Sequence, residues 1–400
     1  MQHRTITISW LPRTQAEWRT FTAARQEAAA VWNWLVEAHA AVRETSEPWP
    51  SYSRLAKEGK RRFPNLLAQS VQQTVADFCD AVTATTAARK KGCDTNYPCA
   101  TPKYRGVIFP NQAVQLRDGI LTLPCAKAGK LHVRIPDGVT LPGRLMEVRL
   151  HFGEVQIVCE VPDTVHPPGP TIGVDLGVNT LVAATDGKRA VLVSGRAVKS
   201  LVRLRNKRLA EISAKLSKKT KGSKRHRKLQ RRKYKMLDRS KRCVRDLCHK
   251  ATRKIADAFP GATAFVGEPF NDAARKLGRV QAQQVSSACG AILIMMLAYK
   301  LASAMKTNES YSSQTCPVCA ERNKCRRLYR CACGCTAPRD VIGATNIRSI
   351  GLDGSMVPGR SVPNAVHFVQ PHKYAGSRRL VASDTAHVAR SNPRSPRLQA

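Results

Sequence analysis

Three carboxylates stand at the ends of apolar runs in a chain with only 28 Asp and Glu among 400 residues. Asp175 lies in TIGVDLG, Glu268 follows ATAFVG, and Asp340 lies in APRDVIGATNI. A carboxylate in such a place is costly to bury unless something pairs with it. Oxygen ligands suit Mg²⁺ or Mn²⁺. Two such ions about 4 Å apart activate a water and stabilise the leaving oxygen in phosphodiester cleavage. An Asp after a strand also serves commonly as a turn or cap residue, so chemistry requires that the three converge.

The second group is sulfur. Six of the 14 cysteines (316, 319, 325, 331, 333 and 335) fall within 20 residues. TCPVC gives Cys316-x-x-Cys319, and YRCACGC supplies Cys331, Cys333 and Cys335. A CxxC knuckle followed by a second cysteine pair is the spacing of a zinc ribbon. Cys316, Cys319, Cys331 and Cys333 are the expected ligands of a structural zinc, with Cys335 or Cys325 as substitutes for the fourth. No His lies in the cluster, and four thiolates leave no open position, which excludes a catalytic zinc. Cys243 and Cys248 sit at helical spacing and read as packing residues. Cys79, Cys125, Cys159 and Cys289 read as small core hydrophobes.

These groups need a scaffold and a substrate. The chain carries 67 Lys and Arg, a formal net charge of +39, and is 42% hydrophobic. That charge calls for a polyanion, and nucleic acid is the first candidate. The apolar fraction supports packed cores and excludes a fully disordered chain. No apolar run is long enough for a membrane span, and the N-terminus lacks the apolar stretch of a signal peptide. A cytoplasmic location follows as the expectation, with the cysteines as thiols or metal ligands.

Along the chain, residues 4–11 alternate as a strand, 16–43 and 68–89 read as helices, and a Pro/Ser/Lys-rich connection joins them over 46–64. Short alternating runs over 106–109, 131–135, 145–150 and 155–161 predict a small sheet or barrel, which makes 15–94 a helical insert. From 171 onward hydrophobic strands follow one another. Residues 199–254 hold 24 Lys and Arg against 3 Asp and Glu, without proline, and predict long basic helices. With so few acids, i,i+4 pairs cannot relieve their repulsion, whereas a phosphate backbone can. Lys218, Lys219, Lys221, Lys224, Arg225, Arg227, Lys228, Arg231 and Arg232 are the densest contacts expected. Residues 262–267 read as a strand, 284–306 as a helix with an apolar middle, and 356–400 as a mobile basic tail.

GVDLGVNT alone is similar to the first phosphate loop of actin-like ATPases, but the further Gly-rich phosphate loops of that family are missing. Taken in order, GVDLGVNTLVAATDG, VGEPF and YSSQTCPVC…YRCACGCTAPRDVIGATNI resemble TnpB, the RNA-guided nuclease of insertion sequences, and its descendants, the miniature type V CRISPR effectors. Tyr311, Ser313, Gln314, Thr315 and Cys316 match the approach to that family's zinc ribbon. Arg339, Asp340, Ala344, Asn346 and Ile347 match its exit. The chain departs from the pattern at Ala320, where Gly is usual, at the tight Cys331-x-Cys333 pair, and at VGEPF.

The resemblance implies an α/β fold with all-β and helical parts. An RNase H-like, RuvC-type nuclease domain (171–309 and 338–355, with basic helices over 199–258) carries an inserted zinc ribbon (310–337). A wedge-like β-barrel (1–14 and 95–166) with a helical recognition insert (15–94) precedes it. Asp175, Glu268 and Asp340 become ligands of two Mg²⁺ ions, and Arg339 joins the nucleic-acid contacts. Guide RNA and target DNA become the partners, and a prokaryotic cell, with the protein on the nucleoid, its place. The implied activity is RNA-guided DNA cleavage. The rival readings are a guided repressor that binds without cutting and a guide-independent junction resolvase.

Overall fold

The computed structural model describes residues 2–45, 47–101, 103–163, 166–268, 278 and 289–371. The chain divides into two units, Met1–Thr164 and Val165–Ala400. Among the described residues, no helix is long and apolar enough to cross a membrane.

In the first unit, β1 (Gln2–Ser9), β7 (Glu154–Val161), β6 (Arg144–His151) and β2 (Val107–Pro110) form an antiparallel sheet in that order. The N-terminal strand thus closes on the last, with Ile6 opposite Ile157 and Ile8 opposite Val155. A second sheet joins β3 (Gln115–Arg117), β4 (Ile120–Pro124) and β5 (Lys130–Arg134). Helices α1 (Gln15–Thr45) and α3 (Ala68–Lys90) pack on these strands through one shared core that includes Phe21, Leu35, Phe78, Phe109, Leu131 and Ile157. The connection expected over 46–64 contains a helix instead, α2 (Tyr52–Arg62). The Ser51 side chain accepts from Arg54 N at 3.4 Å as its N-cap, and Leu55 and Ala56 are buried. Tyr52, Leu55, Ala56 and Gly59 do fall at helical spacing, but over a short run flanked by Pro48, Pro50 and Pro64, whose turn signals dominate the reading.

The second unit is built on a six-stranded sheet. β8 (Thr171–Leu176), β9 (Thr180–Thr185) and β10 (Arg189–Ser194) form an antiparallel meander. β11 (Thr263–Glu268) adds parallel to β8, and β12 (Ser303–Asn308) parallel to β11. On the far edge β15 (Ala365–Val369) runs parallel to β10.

Alternation sorts the side chains of this sheet between two faces. Ile172, Val174, Val182, Ala184, Val191 and Val193 bury into one core with α4 (Arg196–Ser217), α5 (Lys224–Ala258) and α6 (Gly290–Ala298). Ala183, Ala190 and Leu192 face the other way, toward Val341 and Ala344 of α7 (Arg339–Asp353). Asp175 has the parity of this second face. The approach of α7 to β8 is backbone on backbone. A Cβ at Gly173 would lie 2.0 Å from the Ala344 carbonyl oxygen and 2.5 Å from Arg348 N.

Two expectations fail here. The helix expected over 284–306 is limited, in the described part, to Gly290–Ala298; Ser303–Asn308 is a strand. Its apolar run ends at Tyr299, and SAMKTN can complete the ladder of β11. Over 356–371 the expected tail is structured instead. Gly359 N and Arg360 N donate to the carbonyls of Val318 and Pro317 at 2.9 and 3.0 Å. AVHFV then pairs with the edge of β10, a partner too remote in sequence to show in a local pattern. Residues 372–400 lie outside the described part.

Gly173→Ala is expected to lower stability by about 1–3 kcal/mol or more, because backbone atoms must move to admit one methyl group. Chemical unfolding of the purified chain measures it.

Candidate functional site: an acidic centre beside a four-cysteine ribbon

The acidic centre forms where β8 meets α7. Asp175, one residue from the end of β8, points its carboxylate at the helix; a Cβ on Gly343 would lie 2.9 Å from Asp175 Oδ2. Any side chain at 343 would fill the space that this carboxylate occupies. Asp340 lies one turn earlier, in the first turn of α7, where the helix dipole favours a negative charge. Its Oδ2 accepts a short hydrogen bond from Thr180 Oγ1 of β9. Two acids 165 positions apart thus interact across the strand–helix contact.

A third carboxylate, Glu309, joins them just beyond β12. A Cβ on Gly267 would lie 2.4 Å from its Oε2. Burial, then the charge of Asp340, then that of Glu309 push the Asp175 carboxyl up to about 8; Arg339 and the Leu176 backbone N–H act the other way. The centre therefore concentrates more negative charge than its neighbours balance. That is the chemistry of a site for hard cations.

Glu268 ends β11 opposite Asn308 of β12, and its side chain lies outside the described residues. Reading 284–306 as one helix hides Glu309. The signal for it is an acid directly after a short run that completes a parallel sheet.

The ribbon precedes α7 without a break. Its hairpin pairs β13 (Leu328–Arg330) with β14 (Thr336–Pro338), and α7 starts at the next residue. Cys316, Cys319, Cys331 and Cys333 converge, their four Sγ atoms all within 4.8 Å of one another. Sγ of Cys316 is 3.6 Å from that of Cys333, and Sγ of Cys319 is 3.4 Å from that of Cys331. Thiolates about 2.3 Å from a tetrahedral zinc would stand about 3.8 Å apart, so the set fits that ion. Among the described residues, no other group of three or more His, Cys, Asp or Glu side chains is drawn so close.

Cys325 and Cys335 stay outside the set. Cys325 Sγ donates to the Arg330 carbonyl at 3.6 Å. Cys335 gives its backbone oxygen to Cys331 N at 3.0 Å. The tight Cys331-x-Cys333 spacing therefore still delivers both sulfurs. Buried Tyr329 holds the hairpin from inside, donating to the Gln314 and Glu321 carbonyls, each at 3.3 Å. Ala320, which follows the knuckle, has a φ of 63°, the left-handed region that favours glycine.

Ribbon and acidic centre are joined by one buried side chain. Asn346 of α7 donates through Nδ2 to the carbonyls of Ser312 and Thr315, both at 2.7 Å. The helix that carries Asp340 thereby fixes the entry to the knuckle.

The basic residues form a separate feature. Lys218, Lys219 and Lys221 lie between α4 and α5; Lys224, Arg225, Arg227, Lys228, Arg231 and Arg232 lie on the first turns of α5; all nine are exposed. The ion pairs of α5 lie further along it: Arg242–Asp238, Lys250–Asp246 and Arg253–Asp257. The positive charge is thus partly compensated at the root of this hairpin and uncompensated at its tip. Arg339 is set apart from these nine, with its charge beside Asp175.

Taken together, fold and site define a mixed α/β chain with an acidic centre beside a cysteine ribbon. A family model described as OrfB_IS605, probable transposase, matches residues 156–261, which include Asp175 and both basic helices. A second, described as Cas12f1-like, TNB domain, matches residues 291–347, which include the four cysteines and Asp340. Both matches point the same way, and together they support a TnpB-like family over these two stretches of the chain.

No curated protein matches it significantly. Among solved structures, the Cas12f1–sgRNA–target DNA complex aligns at a TM-score of 0.54 with 13% identity, covering 84% of this chain and 83% of that one. A CRISPR–Cas12f ternary complex aligns at 0.34 with 12% identity, covering 84% and 82%. The first likeness establishes a shared fold; the second carries no argument.

The unfolded chain releases the Asp175 proton near 3.8 and the folded chain near 8, so this group's contribution to stability falls as pH rises through that interval. Without added divalent ions, Asp175→Asn should therefore melt higher than the parent at pH 8, and the gap should close toward pH 4. Metal analysis should find about one zinc per chain, lost in Cys333→Ser and kept in Cys335→Ser. Ala320→Gly should stabilise the ribbon by about 1 kcal/mol, measured as slower zinc release to a chelator.

Proposed function

We propose that the protein is an RNA-guided DNA endonuclease with a RuvC-like, RNase H-type catalytic domain. The observation that carries the reading is the meeting of Asp175 and Asp340, far apart in sequence, at one half-buried acidic centre. The sheet supports it: a three-stranded meander extended by two parallel strands, with acids at the strand ends and α7 laid across them.

Asp175, Asp340 and Glu268 are the proposed ligands of two Mg²⁺ ions. Bound there, the ions would supply Lewis-acid activation of the attacking water and of the leaving oxygen. The chain's own work is positional. Thr180 fixes one oxygen of Asp340, Gly343 leaves room for the Asp175 carboxylate, and Arg339 holds a positive charge at the rim. Water attacks phosphorus, the P–O3′ bond breaks, and a 5′-phosphate and a 3′-hydroxyl remain.

The aligned Cas12f1 complex holds an sgRNA and target DNA. The same partners are proposed for this chain, supported by its net charge of +39 and the uncompensated hairpin tip. Base pairing would then read sequence while the protein reads duplex shape and backbone. In the same reading the first unit is the wedge and recognition part, and the four cysteines hold a structural zinc.

With its copurified RNA and a matching DNA, the protein should cut in Mg²⁺ and not in EDTA. Asp175→Ala should lower cleavage at least about a thousandfold, a loss of about 4 kcal/mol of transition-state stabilisation, and leave RNA-dependent DNA binding unchanged. Full cleavage by that variant overturns the assignment.

A further inference from the structure

Away from the acidic centre, the two basic helices enclose a cleft of about 700 Å³. Its floor is apolar: Leu201 and Leu204 from α4, and Met236, Cys243 and Leu247 from α5. Its walls carry Arg205, Arg208, Arg232, Lys235 and Arg239. Among the described residues, no carboxylate lines it. The acids of α5 that do take part in ion pairs, Asp238, Asp246 and Asp257, bond to Arg242, Lys250 and Arg253, none of which lines the cleft.

This pairing of surfaces differs from that of the hairpin tip. The tip offers charge alone, which suits the outside of any duplex. The cleft offers an apolar floor beneath a cationic rim. Duplex nucleic acid turns its apolar base faces inward and has nothing to place on such a floor. An unpaired strand has both parts: a phosphate backbone that tracks the cations and bases whose faces are free. An acidic protein helix would supply charge at irregular intervals, whereas five cations along two helices match a repeating anion. Leu204 is 44% exposed in the free protein, so the floor is open to an incoming base.

We propose that the cleft between α4 and α5 seats an unpaired stretch of RNA, with its phosphates on Arg208, Arg232 and Arg239 and a base against Leu204 and Met236. The inference rests on the RNA-guided reading for its choice of RNA as the resident strand, but not on the metal centre.

The test uses the full chain and a fluorescent oligouridylate about 12 nucleotides long, within the range of single-strand sites. Leu204→Ser removes the floor without changing charge, at a position exposed enough for folding to survive; the melting temperature checks this. It should weaken oligouridylate binding about fivefold and leave an RNA duplex of equal length unaffected. Arg208→Gln, Arg232→Gln and Arg239→Gln should each lower the salt slope of single-strand binding by about 0.7, and Lys219→Gln at the tip should lower that of the duplex instead. Photocrosslinking with 4-thiouridine should label the peptides of Leu204 and Met236.

Equal oligouridylate binding by Leu204→Ser overturns the proposal, as do crosslinks confined to 218–228. Tighter binding of the matching single-stranded DNA overturns the choice of RNA. A drop in melting temperature for Leu204→Ser with unchanged RNA binding would show the cleft filled by another segment of the chain or by a protein partner. Asp175→Ala should bind the oligouridylate like the parent. If the parent binds through the cleft and never cuts DNA, the nuclease reading falls and the cleft stands.

Discussion

Helix α7 meets strand β8 backbone to backbone at Gly173, and the rest of the second unit is arranged to allow it. Gly173 admits the Ala344 carbonyl, and Gly343 admits the Asp175 carboxylate. Close approach brings two like charges together at a half-buried site, which costs free energy on folding. The cost is tolerated because the cores on both faces of the sheet hold the strand and helix in place. Stability and chemistry pull in opposite directions at this contact. A bulkier residue at 173 would relax the acids apart and remove the reason for having them.

Much of the site is legible in the residues. Acids at strand ends are conspicuous because the chain is poor in acids, and six cysteines crowded into 20 residues point to a bound metal. What the residues leave open is a choice among neighbours. Cys333 lies in the hairpin turn and Cys335 closes it, and only the hairpin's geometry shows that Cys333 reaches the other three sulfurs. Glu309 is hidden for a different reason. It belongs to the edge of a parallel sheet, where strands are short and their partner is far away in sequence. The strand at 365–369 is hidden on the same ground, and α2 because its short period is masked by the prolines and polar residues around it. Local pattern reads elements that bury their own stripe; it fails for elements defined by what they lie against.

The charge of the chain is organised rather than spread. On α5 the acids stand at 238, 246 and 257, after about four turns, 224–237, with none. The root of the hairpin, which packs into the core through Leu247, Ala251 and Ile255, has part of its charge offset by three ion pairs. The tip is left to repel itself. Such a hairpin is most stable with a polyanion bound, so its folding and its ligand are linked.

After α7 the chain turns back. Residues 359 and 360 hydrogen-bond to the knuckle before the polypeptide enters the sheet as β15. The finger is thus clasped at its entry by Asn346 and again by the returning strand, like a door pinned along both edges. Swinging it away from the acids would break both sets of hydrogen bonds. A motion that keeps them carries finger and carboxylates together as one piece.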